Sequence, residues 1–139
     1  MLLLAGDGRE RSECEQYART LGIASQVRFL GRVDAIEPIL QASDLFLSTS
    51  LRDSLPNALV EAQAAGLPVV AYDVAGAAEA FEPERSGISV RCGDVDGFVQ
   101  AIDKLLGAPV LRLRFGTCAR KRALQLYDPE VIRARYATE

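Results

Sequence analysis

A chain of 139 residues, 49% hydrophobic and 25% charged, carries enough apolar material for one soluble domain of ordinary size. Its net charge of -3 argues against a nucleic-acid surface, which needs clustered positive charge, and no apolar stretch approaches the roughly 18 residues of a membrane span. The sequence contains no histidine, which excludes a serine–histidine triad and a histidine-ligated metal among these residues.

Apolar runs and helical periods alternate along the chain. "MLLLA" reads as a short buried strand, too short and without the basic flank of a signal peptide. "GDG" turns the chain. "ERSECEQYARTLG" predicts a helix with Cys14, Tyr17, Ala18 and Leu21 on one side and Gly22 as its C-terminal cap. "QVRFL" is the next strand. "VDAIEPILQAS" has a helical pattern that Pro38 confines to a helix starting near that residue. "DLFLS" predicts a strand, "PNALVEAQAA" a helix stopped by Gly66 and Pro68, and "PVVAY" a Val-rich strand. "AGAAEAF" allows one or two helical turns, and "GISVRC" is a strand. "DGFVQAIDKLLG" predicts a helix whose Phe98, Val99, Ile102, Leu105 and Leu106 share a face. The tail "VLRLRFGTCARKRALQLY" and then "DPEVIRARYATE" read as helices, the second with Asp128 as N-cap and Pro129 at its first position. The basic run Arg120, Lys121, Arg122 is expected to be a solvated helix face. Cys14, Cys92 and Cys118 lack metal-ligand spacing, and their odd count fits poorly with a disulfide framework, so a reducing cytoplasmic setting is the default.

This alternation predicts an α/β fold with a parallel sheet flanked by helices. Such sheets bind ligands beyond the carboxyl ends of their strands. The loops at 6–9, 31–33, 48–56, 73–78 and 91–94 fall on that edge. A helix beginning near Pro56 would present unpaired N–H groups and about half a positive charge, a ready place for phosphate. Asn57 and Ala58 are short enough to let an anion approach, and Glu61 lies one turn further in. Its carboxylate could accept from a vicinal diol such as a ribose, and Asp53 from hydroxyls beyond the phosphates. Equally, Glu61 could be a solvated helix residue and Asp53 a turn or capping residue. "GDGRER" has Arg11 where a dinucleotide fingerprint has its third glycine, so it is a weak signature and a tight turn serves as well. Gly31 in "FLGRV" would let a flat group such as a nucleobase approach the backbone, or would simply make a turn. Glu79 in "DVAGAAEAF" either faces the cleft or is merely exposed.

The ordered set "LLLAGDG", "VRFLGRVD", "ASDLFLSTSLRDSLPNALVEAQAAGLPVVAYDVAGAAE", "SGISVRCGDVDGFVQAI" and "DPEVIRARY" resembles the C-terminal, donor-binding half of GT-B retaining glycosyltransferases of family 4. The resemblance implies a nucleotide-diphosphate sugar as donor substrate, with no metal or other cofactor. It implies transfer of the sugar to an acceptor hydroxyl with retention. Asp53 and Glu61 take the places of the family's E-x7-E acids and become the catalytic pair, Asp53 at the sugar and Glu61 at the ribose. Donor contacts are implied at Gly6, Leu30, Gly31, Ser54, Leu55, Pro56, Asn57, Ala58 and Glu61.

The sequence departs from that family in two ways. Asp53 is one methylene shorter than the usual Glu, and the chain opens at what would be the donor half's second strand. The expectation is therefore a partial Rossmann-like domain over 1–127, lacking its first strand and helix. The helix at 128–139 is the one that packs in the family on an acceptor-binding N-terminal domain, missing here. Such a chain is expected to be inactive alone. No nucleic-acid partner is expected, and peripheral membrane association of a parent enzyme stays open. A non-catalytic nucleotide-sugar-binding module, or the donor half of a two-chain transferase, is the alternative.

Overall fold

Val69–Tyr72 is an unbroken apolar run, and each of its four residues is buried. A strand with both faces covered needs neighbours on its edges and helices above and below. The computed structural model describes residues 1–52, 57–128, 130, 131 and 133, and it divides into two units, Met1–Ile36 and Glu37–Glu139.

The first unit contains β1 (Leu2–Ala5), α1 (Arg11–Thr20), a 3-10 turn (Ala24–Gln26) and β2 (Val27–Gly31). The two strands run parallel, with Leu2 opposite Val27 and Leu4 opposite Phe29, and the register slips so that Ala5 faces Gly31. Gly31 has φ +68° and accepts a 2.7 Å hydrogen bond from the Gly6 N–H. The group that approaches Gly31 is internal: a Cβ there would lie 2.9 Å from the Arg11 guanidinium. Arg11 is held by Glu15 at 2.9 Å and donates to the Phe29 carbonyl at 3.4 Å. Helix α1 ends as its glycine predicts. Ile23 N–H bonds to Ala18 O and Gly22 N–H to Arg19 O, both at 3.0 Å, with Gly22 left-handed. Its expected apolar side is not buried as a whole: Ala18 is, but Cys14, Tyr17 and Leu21 are exposed. A two-stranded sheet offers too narrow a face to cover a ten-residue helix.

The second unit contains α2 (Glu37–Gln41), β3 (Phe46–Ser48), α3 (Asn57–Ala64), β4 (Val69–Tyr72), α4 (Ala75–Ala80), β5 (Gly87–Val90), α5 (Val95–Leu106) and α6 (Pro109–Tyr127). Its sheet is parallel in the order β3-β4-β5, Val70 facing Leu47 on one side and Ile88 on the other. Strand alternation divides the core in two. Val70 and Tyr72 join Ile88, Val90, Phe98, Ala101, Leu105 and Phe115 on one face. The Tyr72 and Phe98 rings meet edge-on, with centroids 4.9 Å apart. Val69 and Ala71 join Leu59, Ala77, Ala80 and Phe81 on the other face. The apolar face expected for α5 holds at Phe98 and Leu105, whereas Val99 and Leu106 are exposed, because a stripe narrower than that set fills the space over β4 and β5. At the start of the second tail segment, Asp128 accepts from the Glu130 N–H at 2.8 Å, the bond of an N-cap. The helix expected over 128–139 otherwise falls largely outside the described residues.

Helix α6 crosses α3 where two glycines meet. A Cβ on Gly116 would collide with the carbonyl oxygen of Gly66, the left-handed residue that ends α3. Gly116→Ala would gain about 1 kcal/mol of helix propensity. The obstructing atom is backbone, however, so overpacking of about 1–3 kcal/mol or more should prevail. We expect a lower urea midpoint for Gly116→Ala and an unchanged one for Gly8→Ala, whose Cβ meets open space. Gly31→Ala should cost about 1–2 kcal/mol through its left-handed backbone. The Gly6 amide should then exchange roughly 5–30-fold faster with deuterium while exchange at β4 is unchanged.

Candidate functional site

In the parallel sheet of the second unit, the segments after Ser48, Tyr72 and Val90 leave from one edge. Helix α3 starts after the first of these segments. Its inward residues Leu59, Ala62 and Gln63 are fully buried, while Asn57, Ala58 and Glu61 are exposed on its other side. The i, i+4 spacing thus places Glu61 over Asn57, toward solvent. Among the described residues its carboxylate takes part in no hydrogen bond or ion pair. The first turn of α3 holds no acid to offset the positive end of the helix. Asp53, Ser54, Leu55 and Pro56 lie outside the described residues. An anion could approach the N–H groups of this first turn, and Glu61 could accept hydrogen bonds from hydroxyls beside it.

In the first unit, Gly6 and Leu30 are exposed and Gly31 is buried. Arg11 spends its donors on Glu15 and the Phe29 carbonyl, with Asp7 3.9 Å away, so its charge is already compensated within this unit. Glu79 of α4 is exposed, and its backbone carbonyl accepts hydrogen bonds from α6. Among the described residues no group of three His, Cys, Asp or Glu side chains could hold a metal ion, and no helix is long and apolar enough to cross a membrane.

The basic run of α6 is more than a solvated face. Arg120 Nη1 donates to the Ala64 carbonyl at 2.7 Å, at the C-terminus of α3. Arg122 Nη2 donates to the Glu79 carbonyl at 2.8 Å, at the C-terminus of α4, and the Tyr127 hydroxyl joins it at 3.2 Å. Earlier in the same helix, Arg112 Nη1 bonds the Leu105 and Leu106 carbonyls of α5 at 2.9 and 2.6 Å. Gln63, fully buried, donates its amide to the Ala80 carbonyl. Helix ends leave carbonyls without partners and carry partial negative charge, so arginine is the apt cap. Composition and periodicity do not reveal these pairings. The one signal was a glutamine inside the buried stripe of α3.

The geometry matches that of known proteins over nearly the whole chain. A structure from Anabaena, Alr3699/HepE in complex with UDP, superposes with a TM-score of 0.90 at 27% identity, over 98% of this chain and 39% of that one. Sucrose-phosphate synthase from Thermosynechococcus elongatus gives 0.90 at 26% identity, over 99% and 37%. By sequence, the chain is 33% identical over 135 residues to the lipopolysaccharide core biosynthesis glycosyltransferase LpsE of Rhizobium meliloti, covering 97% of this chain and 40% of that protein. It is 33% identical over 137 residues to N-acetyl-alpha-D-glucosaminyl L-malate synthase of Bacillus anthracis, covering 99% and 36%. The chain therefore spans about two fifths of the length of these relatives. Its parallel sheets flanked by helices are those of GT-B glycosyltransferases. Residues 1–108 match the family described as glycosyl transferases group 1, and the chain belongs to that family.

Proposed function

We propose that the chain is the donor-binding half of a retaining, family 4 glycosyltransferase, which takes a nucleotide-diphosphate sugar and passes the sugar to an acceptor hydroxyl. The observation that carries this reading is the outer side of α3, where Asn57, Ala58 and Glu61 stand exposed on the first turns of a helix in a chain of this family. The diphosphate is held by the helix-start N–H groups, and Glu61 accepts from the ribose. Asp53, with Ser54, Leu55 and Pro56 between it and the helix, binds the sugar's hydroxyls. Gly6, Leu30 and Gly31 are read as base-side contacts on the family resemblance alone. Transfer proceeds by stabilising the departing diphosphate and the positive charge that develops at the anomeric carbon. The positive end of α3 stabilises the departing diphosphate, so the reading needs no metal. The two-fifths coverage of the relatives supports an acceptor-binding half elsewhere in the parent enzyme, without which this chain transfers nothing. Three free cysteines favour a cytoplasmic setting.

Titration calorimetry with UDP and UDP-glucose tests the assignment. Glu61→Gln should raise the Kd for UDP about tenfold or more, the loss of about 1.5–3 kcal/mol expected for a hydrogen bond to a charged group. Asp53→Asn should leave the UDP Kd within about twofold and weaken only the extra affinity for the sugar. Equal effects of both variants on UDP would overturn the division of roles. Repeating the UDP titration in EDTA should give the same Kd; a tenfold loss would mean that a cation, and not the helix, holds the diphosphate.

A further inference from the structure

Helix α6 carries arginines onto the C-terminal carbonyls of all three helices that follow the strands of its sheet. Arg112 reaches α5, Arg120 reaches α3 and Arg122 reaches α4. Two further donors, Tyr127 and the buried Gln63, converge on the last two carbonyls of α4. Two buried polar side-chain atoms lack partners among the described residues, Gln63 Oε1 and Arg122 Nε, and both belong to side chains that grip α4. Leaving such atoms unpaired is costly, yet in both side chains another nitrogen is spent on an α4 carbonyl.

We propose that Arg120 and Arg122 of α6, with Tyr127 and Gln63, are positioning residues for the donor site: by fixing α3 and α4 at their C-terminal ends they set where the opposite ends of these helices stand at the carboxyl edge of the sheet. This rests on the reading of that edge as the nucleotide-sugar site. A helix is a stiff rod. Along α3, Asn57 stands about 10 Å from the Arg120 contact at Ala64, so Arg120 touches no phosphate held at the first turn. At that separation a single exposed charge is largely screened at ordinary salt. An effect of Arg120 on the first-turn amides must therefore be carried by the position of the helix. Lys121 lies between the two arginines, is exposed and makes no bond among the described residues, so it controls for charge alone.

The experiment uses the full 139-residue chain, with UDP as the probe, read by calorimetry and by 15N–1H NMR. We expect Arg120→Met and Arg122→Met each to raise the UDP Kd about five- to tenfold, Lys121→Met to leave it within about twofold, and Arg120→Lys to recover most of the loss. In Arg122→Met, amide shifts induced by UDP should shrink at Asp73, Val74 and Ala75 and persist at Asn57 and Ala58. Arg120→Met should show the reverse. A merely structural role would lower the melting temperature without this division of shifts. Unchanged affinity in both methionine variants, with well-dispersed spectra, would overturn the proposal. Should either fail to fold, Tyr127→Phe decides: it removes one hydroxyl, and UDP-induced shifts at 73–75 that match the unaltered chain would overturn the proposal equally. If the unaltered chain binds neither UDP nor UDP-glucose, the reading of the site itself fails, a result distinct from binding that the variants do not change.

Discussion

The second unit depends on the double-sided burial of β4. Because Val69, Val70, Ala71 and Tyr72 are all buried, each edge must be paired and each face roofed. Alternate residues then feed two separate cores, one under α5 and α6, the other under α3 and α4. Parallel pairing on both edges needs a crossover from each strand to the next, and the helices are those crossovers. The direction of β4 thus decides which ends of the helices lie at the carboxyl edge of the sheet and which lie at the far end. The proposed donor site and the arginine contacts fall at opposite ends of the same helices for that reason.

Helix α6 has a different task from the other helices. Phe115 packs into the first core. The next residue, Gly116, lets the helix come against the Gly66 carbonyl where α3 stops. Close approach of the two backbones brings Arg120 within reach of Ala64 and Arg122 within reach of Glu79. Two glycines, one at a helix end and one within a helix, are therefore linked to two helix caps. A side chain at position 116 would push α6 outward and lengthen each of these bonds.

Two carboxamide or carboxylate side chains two residues apart on α3 have opposite fates. Gln63 is fully buried and bonded within the protein, while Glu61 is exposed without a partner among the described residues. A helix turns by 100° per residue, so a separation of two residues places side chains on nearly opposite sides. The inner side holds the fold together. The outer side leaves an acid and a short polar residue near a positive helix end. In a chain without histidine, this is a combination suited to binding an anion with attached hydroxyls rather than to proton shuttling.

Local chemistry was legible from the residues themselves. Alternating apolar runs and helical periods located, in order, the five strands and six α-helices of the described residues, because period 2, period 3.6 and glycine or proline stops act over a few residues. Gly22, Gly66, Pro38 and Asp128 each took the capping or starting role their types favour. The placing of Glu61 one turn beyond Asn57, on the same side of α3, followed from helical spacing. What the sequence could not supply were relations between distant segments: the approach of Arg11 to Gly31, the crossing of Gly116 on Gly66, and the arginines of α6 on the ends of α3 and α4. Tyr17, Leu21, Val99 and Leu106 belong with them, since their exposure depends on how much neighbouring surface is there to cover them. An arginine on a polar helix face looks the same in sequence whether it meets water or a carbonyl 56 residues away; only the packed chain brings that carbonyl to it.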